Sequence, residues 1–177
     1  MRRNRRKAFE LLLIAAKRGI ARATFSVAVC YRFGEGTPKN FTRGLRYYRA
    51  AARLKVPEAQ YNLGFLYLHG VGVARNYRTA VRWYKKSALN GHLEAINDLG
   101  NCYFYGRGGR RDRSQAVALY RKAAKAGLAR AEYNLALCYQ EGTATKVDLR
   151  KARILLKRSA QQGFRLALRE LQSQERK

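Results

Sequence analysis

The sequence predicts an all-α solenoid, an array of stacked helical hairpins, on three observations. The chain repeats itself every 36 residues without insertion, glycines recur at fixed places in each repeat, and a helix-capping residue recurs between two apolar segments. Blocks begin at Ala23, Ala59, Ala95 and Ala131, and Ala167 opens an incomplete fifth. The expected organisation is one domain over 1–177. It comprises a half repeat at 4–22, four full repeats at 23–58, 59–94, 95–130 and 131–166, and a C-terminal capping helix at 167–177.

Within each block the first helix is marked by apolar residues at three- and four-residue spacing, as in Ala59, Leu63, Leu66 and Tyr67. The tyrosine column Tyr31, Tyr67, Tyr103, Tyr139 closes it, and Gly34, Gly70, Gly106, Gly142 end it, because glycine accepts the left-handed backbone of a helix C-terminus. A second glycine follows at Gly36, Gly72 and Gly108, with Ala144 the exception. Asn40, Asn76, Asp112 and Asp148 then stand where a second helix needs a side-chain acceptor for its first amides, and Asn4 falls in the same column. Five second helices are expected, the first of them alone, from Asn4 to Gly19. Small residues predict how the helices meet. Gly64 and Gly100, with Ala28 and Ala136, are expected to face the columns of Ala80 and Ala88, with axes about 8 Å apart. Tyr67, Trp83 and Tyr84 supply bulk. In the terminal helix Leu13 and Ile14 form an apolar strip, expected to pack back on the first full repeat ahead of serving as a dimer contact or a membrane-surface helix. At the other end Leu168 and Leu171 continue the pattern, while Gln172 and Glu175 replace the glycine and tyrosine columns, as a cap would.

Ala59 to Ala95 resembles the Sel-1-like repeat almost column by column, in Leu63-Gly64, Tyr67, Gly70, Gly72-Val73, Ala80, Trp83-Tyr84, Ala88 and Gly91. The resemblance extends from Asn4 to about Leu171. It implies a right-handed, tetratricopeptide-like α/α superhelix, with first helices lining the concave side and second helices the convex side. It also implies an adaptor that holds protein complexes together, often in signalling or in bacterial contact with host cells. One cysteine-rich branch resembles enzymes that bind β-lactams, and the paired cysteines of that branch are missing here. Fold by itself does not give function.

Charge divides between the helices. The chain carries 38 Lys and Arg against 11 Asp and Glu, a net charge of +27, with Arg outnumbering Lys 26 to 12. The first-helix segments hold one cation, Arg32, and the second-helix segments nineteen. A field of that sign attracts polyanions, leaving nucleic acid, an anionic membrane surface and an acidic protein as partner classes. Biased composition with a solvated face is the structural alternative. Arg49, Lys85, Arg121 and Lys157 share a column, joined by Lys86, Lys122 and Arg158, as a basic ladder on the convex face. By analogy with tetratricopeptide arrays, the concave groove is expected to present Phe25, Tyr61, Phe65, Asn97, Asn101, Phe104, Tyr105 and Tyr133. Rings supply buried area there and amides satisfy a peptide backbone. About half of these rings are also expected to serve the core.

Nothing in the chain reads as a catalytic or metal site, and no cofactor is expected. His69 and His92 are isolated from each other, and Cys30, Cys102 and Cys138 share a column with Leu66, a core slot. An odd number of cysteines without ligand spacing fits a reducing compartment, and the cytoplasm is expected. Arg2, Arg3, Arg5, Arg6 and Lys7 before Leu11 to Ala16 resemble a signal peptide, but Glu10 interrupts the apolar run and Lys17-Arg18 end it. The leading expectation is a non-catalytic scaffold binding a protein or peptide in the groove. The rival is nucleic acid or anionic lipid on the ladder, and a β-lactam enzyme ranks third.

Overall fold

The computed structural model describes the backbone of residues 2–174 and the side chains of residues 4–174, so Glu175 lies outside the described residues. Among these it is all-α, with ten helices and no strand, an all-α solenoid of hairpins. The helices are α1 (Arg2–Lys17), α2 (Ala21–Phe33), α3 (Phe41–Arg53), α4 (Pro57–His69), α5 (Tyr77–Leu89), α6 (Leu93–Tyr105), α7 (Arg113–Lys125), α8 (Ala129–Glu141), α9 (Leu149–Gln161) and α10 (Arg165–Gln174).

The chain forms two compact units, one up to His92 and one from Leu93. In the first, α4 and α5 run antiparallel. Asn76 N–H donates to Tyr67 O at 2.8 Å at one end, and Ser87 Oγ donates to Pro57 O at 2.7 Å at the other. The second unit repeats this in α8 and α9, through Asp148 to Tyr139 at 2.9 Å and Ser159 to Ala129 at 2.7 Å. The tyrosine column and the cap column are thus joined by one hydrogen bond per hairpin. The cap side chains act as the sequence implies: Asn40, Asn76, Asp112 and Asp148 each accept the backbone N–H three residues on, at 2.9 Å. Asn4 does not cap, because α1 begins at Arg2 and takes Asn4 into its first turn.

The first helices start two residues before the blocks read from sequence, at Ala21, Pro57, Leu93 and Ala129. The N-caps of α2, α4 and α8, Ile20, Val56 and Leu128, make no side-chain bond, so no polar residue announces those three starts. The core runs along the hairpin seams. Tyr48, Tyr84, Tyr120 and Leu156 occupy one fully buried second-helix column, and Ala51, Ser87, Ala123 and Ser159 another. Gly64 and Gly100 do not chiefly face alanines. A Cβ on Gly64 would lie 2.5 Å from the Tyr84 ring, and one on Gly100 2.7 Å from the Tyr120 ring. The missing side chain leaves a dent that seats an aromatic ring on helix backbone.

The loop glycines are also demanded by contact. A side chain on Gly36 would overlap the carbonyl of Arg5 in α1, and one on Gly72 the ring of Phe41 in α3. Phe9 of α1 is buried against Tyr31, edge to face at 5.2 Å, with Leu12, Leu13 and Ala16 beside the same cluster. Leu11 and Ile14 remain exposed. Ala167 of α10 is buried, Leu171 packs on the last core cluster, and Leu168 is exposed.

Candidate binding surfaces

In the first unit α2 and α4 are linked side by side. Arg22 pairs with Glu58, and Arg32 Nη1 donates to Asn62 Oδ1 at 3.1 Å. Burial pushes the Glu58 carboxyl up, but its backbone hydrogen bond and the Arg22 guanidinium outweigh this and hold it below its ordinary value. Phe65 is half-buried between His69, 4.3 Å away, and the Arg32 guanidinium at 6.0 Å. Tyr61 stacks on His92 at 4.7 Å and leans on the buried Tyr84 at 5.8 Å. Phe25 packs on Tyr48 and belongs largely to the core.

In the second unit Asn97 is completely buried, which corrects its assignment to a binding groove. Its amide accepts from Asn134 Nδ2 at 2.8 Å and donates to Asp98 Oδ1 at 3.0 Å, so it joins α6 to α8. Asn101 is half-buried and accepts the Tyr120 hydroxyl at 2.7 Å. Burial raises that phenol well above its usual range. Phe104 lies 5.0 Å from Tyr105, edge to face, and Tyr133 lies 5.4 Å from Phe164.

The second helices are more polarised than the sequence blocks suggest. Helices α3, α5, α7 and α9 together carry seventeen Lys and Arg and no acid, and all seventeen are exposed. Helices α2, α4, α6 and α8 carry three cations and five acids. Arg49 and Lys85 in the first unit, like Arg121 and Lys157 in the second, hold matching exposed positions, as do Lys86, Lys122 and Arg158 beside them. Several are engaged within the fold. Arg49 Nη2 donates to Tyr67 Oη at 3.1 Å, Arg121 lies 5.9 Å over Tyr139, and Lys86 lies 4.8 Å over Trp83.

A family model for the Sel1 repeat matches residues 1–20, 21–56, 57–92, 93–128 and 129–164. The chain belongs to the Sel1-repeat family. A Sel1 repeat protein from Oxalobacter formigenes is 32% identical, with a TM-score of 0.91, over 95% of this chain and 69% of that one. The protective antigen c5321 of uropathogenic Escherichia coli is 31% identical, with a TM-score of 0.85, over 92% of this chain and 35% of its own. Helicobacter pylori cysteine rich protein B shares the fold, with a TM-score of 0.59 and 21% identity over 74% of this chain and 94% of that one. No curated protein matches the sequence. Sel1-repeat proteins generally act as protein-interaction scaffolds, and the fold is generally a non-enzymatic one.

One polar site in these Sel1 repeats escaped the sequence reading. Glu132 is fully buried, with Arg158 Nη2 ion-paired to Oε1 at 2.8 Å and Gln162 Nε2 donating to Oε2 at 2.8 Å. Arg158 thus serves as the cation of buried Glu132 while its side chain stays half exposed in the basic column. Two hairpins earlier, Asn90 Nδ2 donates to Gln60 Oε1 at 2.9 Å, whereas Ile96 and Ala126 fill the intervening repeat. The signal was a polar residue beside a buried alanine, matched by another polar residue thirty places on. The three cysteines of the Sel1 array are buried free thiols. Burial and the nearby Asp98 raise Cys102 to about 12, and burial and Glu141 raise Cys138 to about 11. No helix among the described residues is long and apolar enough to cross a membrane, and no group of them could hold a metal ion.

Proposed function

We propose that this Sel1-repeat chain is a non-catalytic adaptor that binds a protein or peptide on its first-helix surface. The observation that carries this reading is the α2–α4 surface of the first unit. There Tyr61 stays half-exposed while stacked on His92, Phe65 while packed at a tilt against His69, and the Arg32–Asn62 pair lies beside them. Rings held in place cost little further order on binding, and the polar pair offers a donor and acceptors to a peptide backbone. The exposed cations of the second helices add attraction toward an acidic partner. Buried thiols without a partner cysteine support a reducing, cytoplasmic setting.

The test is a pull-down from native extract, with and without nuclease, repeated with Tyr61→Ala plus Phe65→Ala. Loss of a nuclease-resistant partner, with retention in Lys85→Glu, supports the reading. Retention in the ring variant and steep salt sensitivity would instead favour the second reading, a polyanion on Arg49, Lys85, Arg121 and Lys157, for which the acid-free second helices speak.

A further inference from the structure

Between α6 and α7 the chain runs Tyr105-Gly106-Arg107-Gly108-Gly109-Arg110-Arg111-Asp112-Arg113, four arginines and one acid. The acid is turned away, since Asp112 Oδ1 accepts the Gln115 amide at 2.9 Å to cap α7. Among the described residues none of the four guanidinium groups is ion-paired with a carboxylate. Gly106 and Gly108, at φ +71° and +83°, turn the loop so that Arg107 lies 5.2 Å over the Tyr105 ring. From the start of α7, Arg113 lies 5.2 Å over Phe104. Tyr105 is 62% exposed. The matching loops carry no such set: 34–40 has one lysine and one glutamate, 70–76 one arginine, and 142–148 one lysine beside its capping aspartate. The arginine cluster is thus an addition to the repeat, which the repeat pattern does not require.

We propose that this loop binds single-stranded nucleic acid, with Tyr105 stacking on a base and Arg107, Arg110 and Arg111 contacting the flanking phosphates. Each part has a physical reason. An exposed ring stacks on any base, and planar guanidinium groups match phosphate oxygens two at a time. Gly109 has open space around it, so a flexible strand can reach both ring and cations. A bilayer would call for aliphatic side chains among the cations, and residues 105–113 contain none. The ligand class and the surface both differ from those of the adaptor reading, which stands or falls separately.

The experiment is fluorescence anisotropy of the full chain with a fluorescein-labelled oligouridylate of ~12 nucleotides, a length within the span of single-strand sites. Binding is expected to weaken as salt rises, to fall about tenfold in Tyr105→Ala, and to recover in Tyr105→Phe. Combined Arg107→Glu, Arg110→Glu and Arg111→Glu should abolish it. Reversal of Arg53 on α3 together with Arg78 and Arg82 on α5, an equal change of charge, should weaken it far less. Equal losses from the two triple variants, or an unchanged Tyr105→Ala, would reduce the interaction to general attraction and overturn the proposal. Equally tight binding of polyglutamate, or of phosphatidylserine vesicles, would overturn it in favour of an acidic protein or a membrane. A wild-type measurement needs no variant to fold: photocrosslinking of a 4-thiouridine oligonucleotide should label the peptide containing Tyr105, and labelling confined to α3 or α5 refutes the site.

Discussion

Arg49 of α3 donates a hydrogen bond to the phenol of Tyr67 in α4, the first helix of the next hairpin, at 3.1 Å. Eighteen residues separate them, and at the matching positions the Arg121 guanidinium in α7 lies 5.9 Å over the Tyr139 ring in α8, a cation-ring contact in place of the hydrogen bond. Two cations of the basic column therefore seat on the tyrosines of the following repeat, as well as carrying charge. A double-mutant cycle of Arg49→Gln and Tyr67→Phe, followed by urea unfolding, should give a coupling of about 0.5 kcal/mol, because the pair is exposed and water competes for it.

The Tyr84 ring lies on the backbone at Gly64, with no room for a methyl group. Gly64→Ala should cost about 2 kcal/mol despite the better helix propensity of alanine, since a fully buried ring cannot swing away. Thermal unfolding measures it. A gain in stability would show that the seam yields.

Among the described residues two other than glycine occupy left-handed backbone, Lys55 at φ 60° and Ala144 at φ 51°. Their columns hold glycine elsewhere: Gly19, Gly91, Gly127 and Gly163 match Lys55, and Gly36, Gly72 and Gly108 match Ala144. Lys55→Gly and Ala144→Gly should each raise stability by about 0.5–1 kcal/mol, the relief of a strained Cβ exceeding the added freedom of the unfolded chain. Paired denaturation curves decide the sign.

Glu132 keeps its carboxylate buried beside Arg158 and Gln162. Removing Arg158 leaves that charge without its cation, so Arg158→Ala should destabilise by about 2–3 kcal/mol, less than a wholly buried pair because Arg158 is half exposed. Arg158→Ala combined with Glu132→Gln should recover part of the loss. A chemical denaturation series on the three variants reads it directly.

Cys102 and Cys138 have thiols raised to about 12 and about 11, chiefly by burial. Their thiolate fraction stays small through pH 8, so a thiol reagent should react slowly with the folded chain and rapidly once urea unfolds it. Fast reaction in native buffer would contradict the burial of this column.

The columns that repeat every 36 residues were readable from the chain because each answers a local need. Gly34, Gly70, Gly106 and Gly142 end helices in left-handed backbone, and Asn40, Asn76, Asp112 and Asp148 cap the helices that follow. The segregation of cations onto second helices followed from the same register. The starts of α2, α4 and α8 lie two residues ahead of the blocks that the period marks, because Ile20, Val56 and Leu128 offer no capping side chain.

The amino-acid sequence by itself determined the helix order, the hairpin pairing and the side of each hairpin that bears charge, since caps and helix stops are local, short loops leave neighbouring helices to pair, and the 36-residue period repeats each of these. Only the tertiary structure decided that Asn97 is buried, that Arg158 turns to Glu132, that Arg49 seats on Tyr67 and that tyrosine rings fill the glycine dents. Those outcomes depend on rotamers chosen among groups far apart in the chain, where packing and desolvation across a helix interface settle which polar group meets which. A period in the sequence names the column but not the partner.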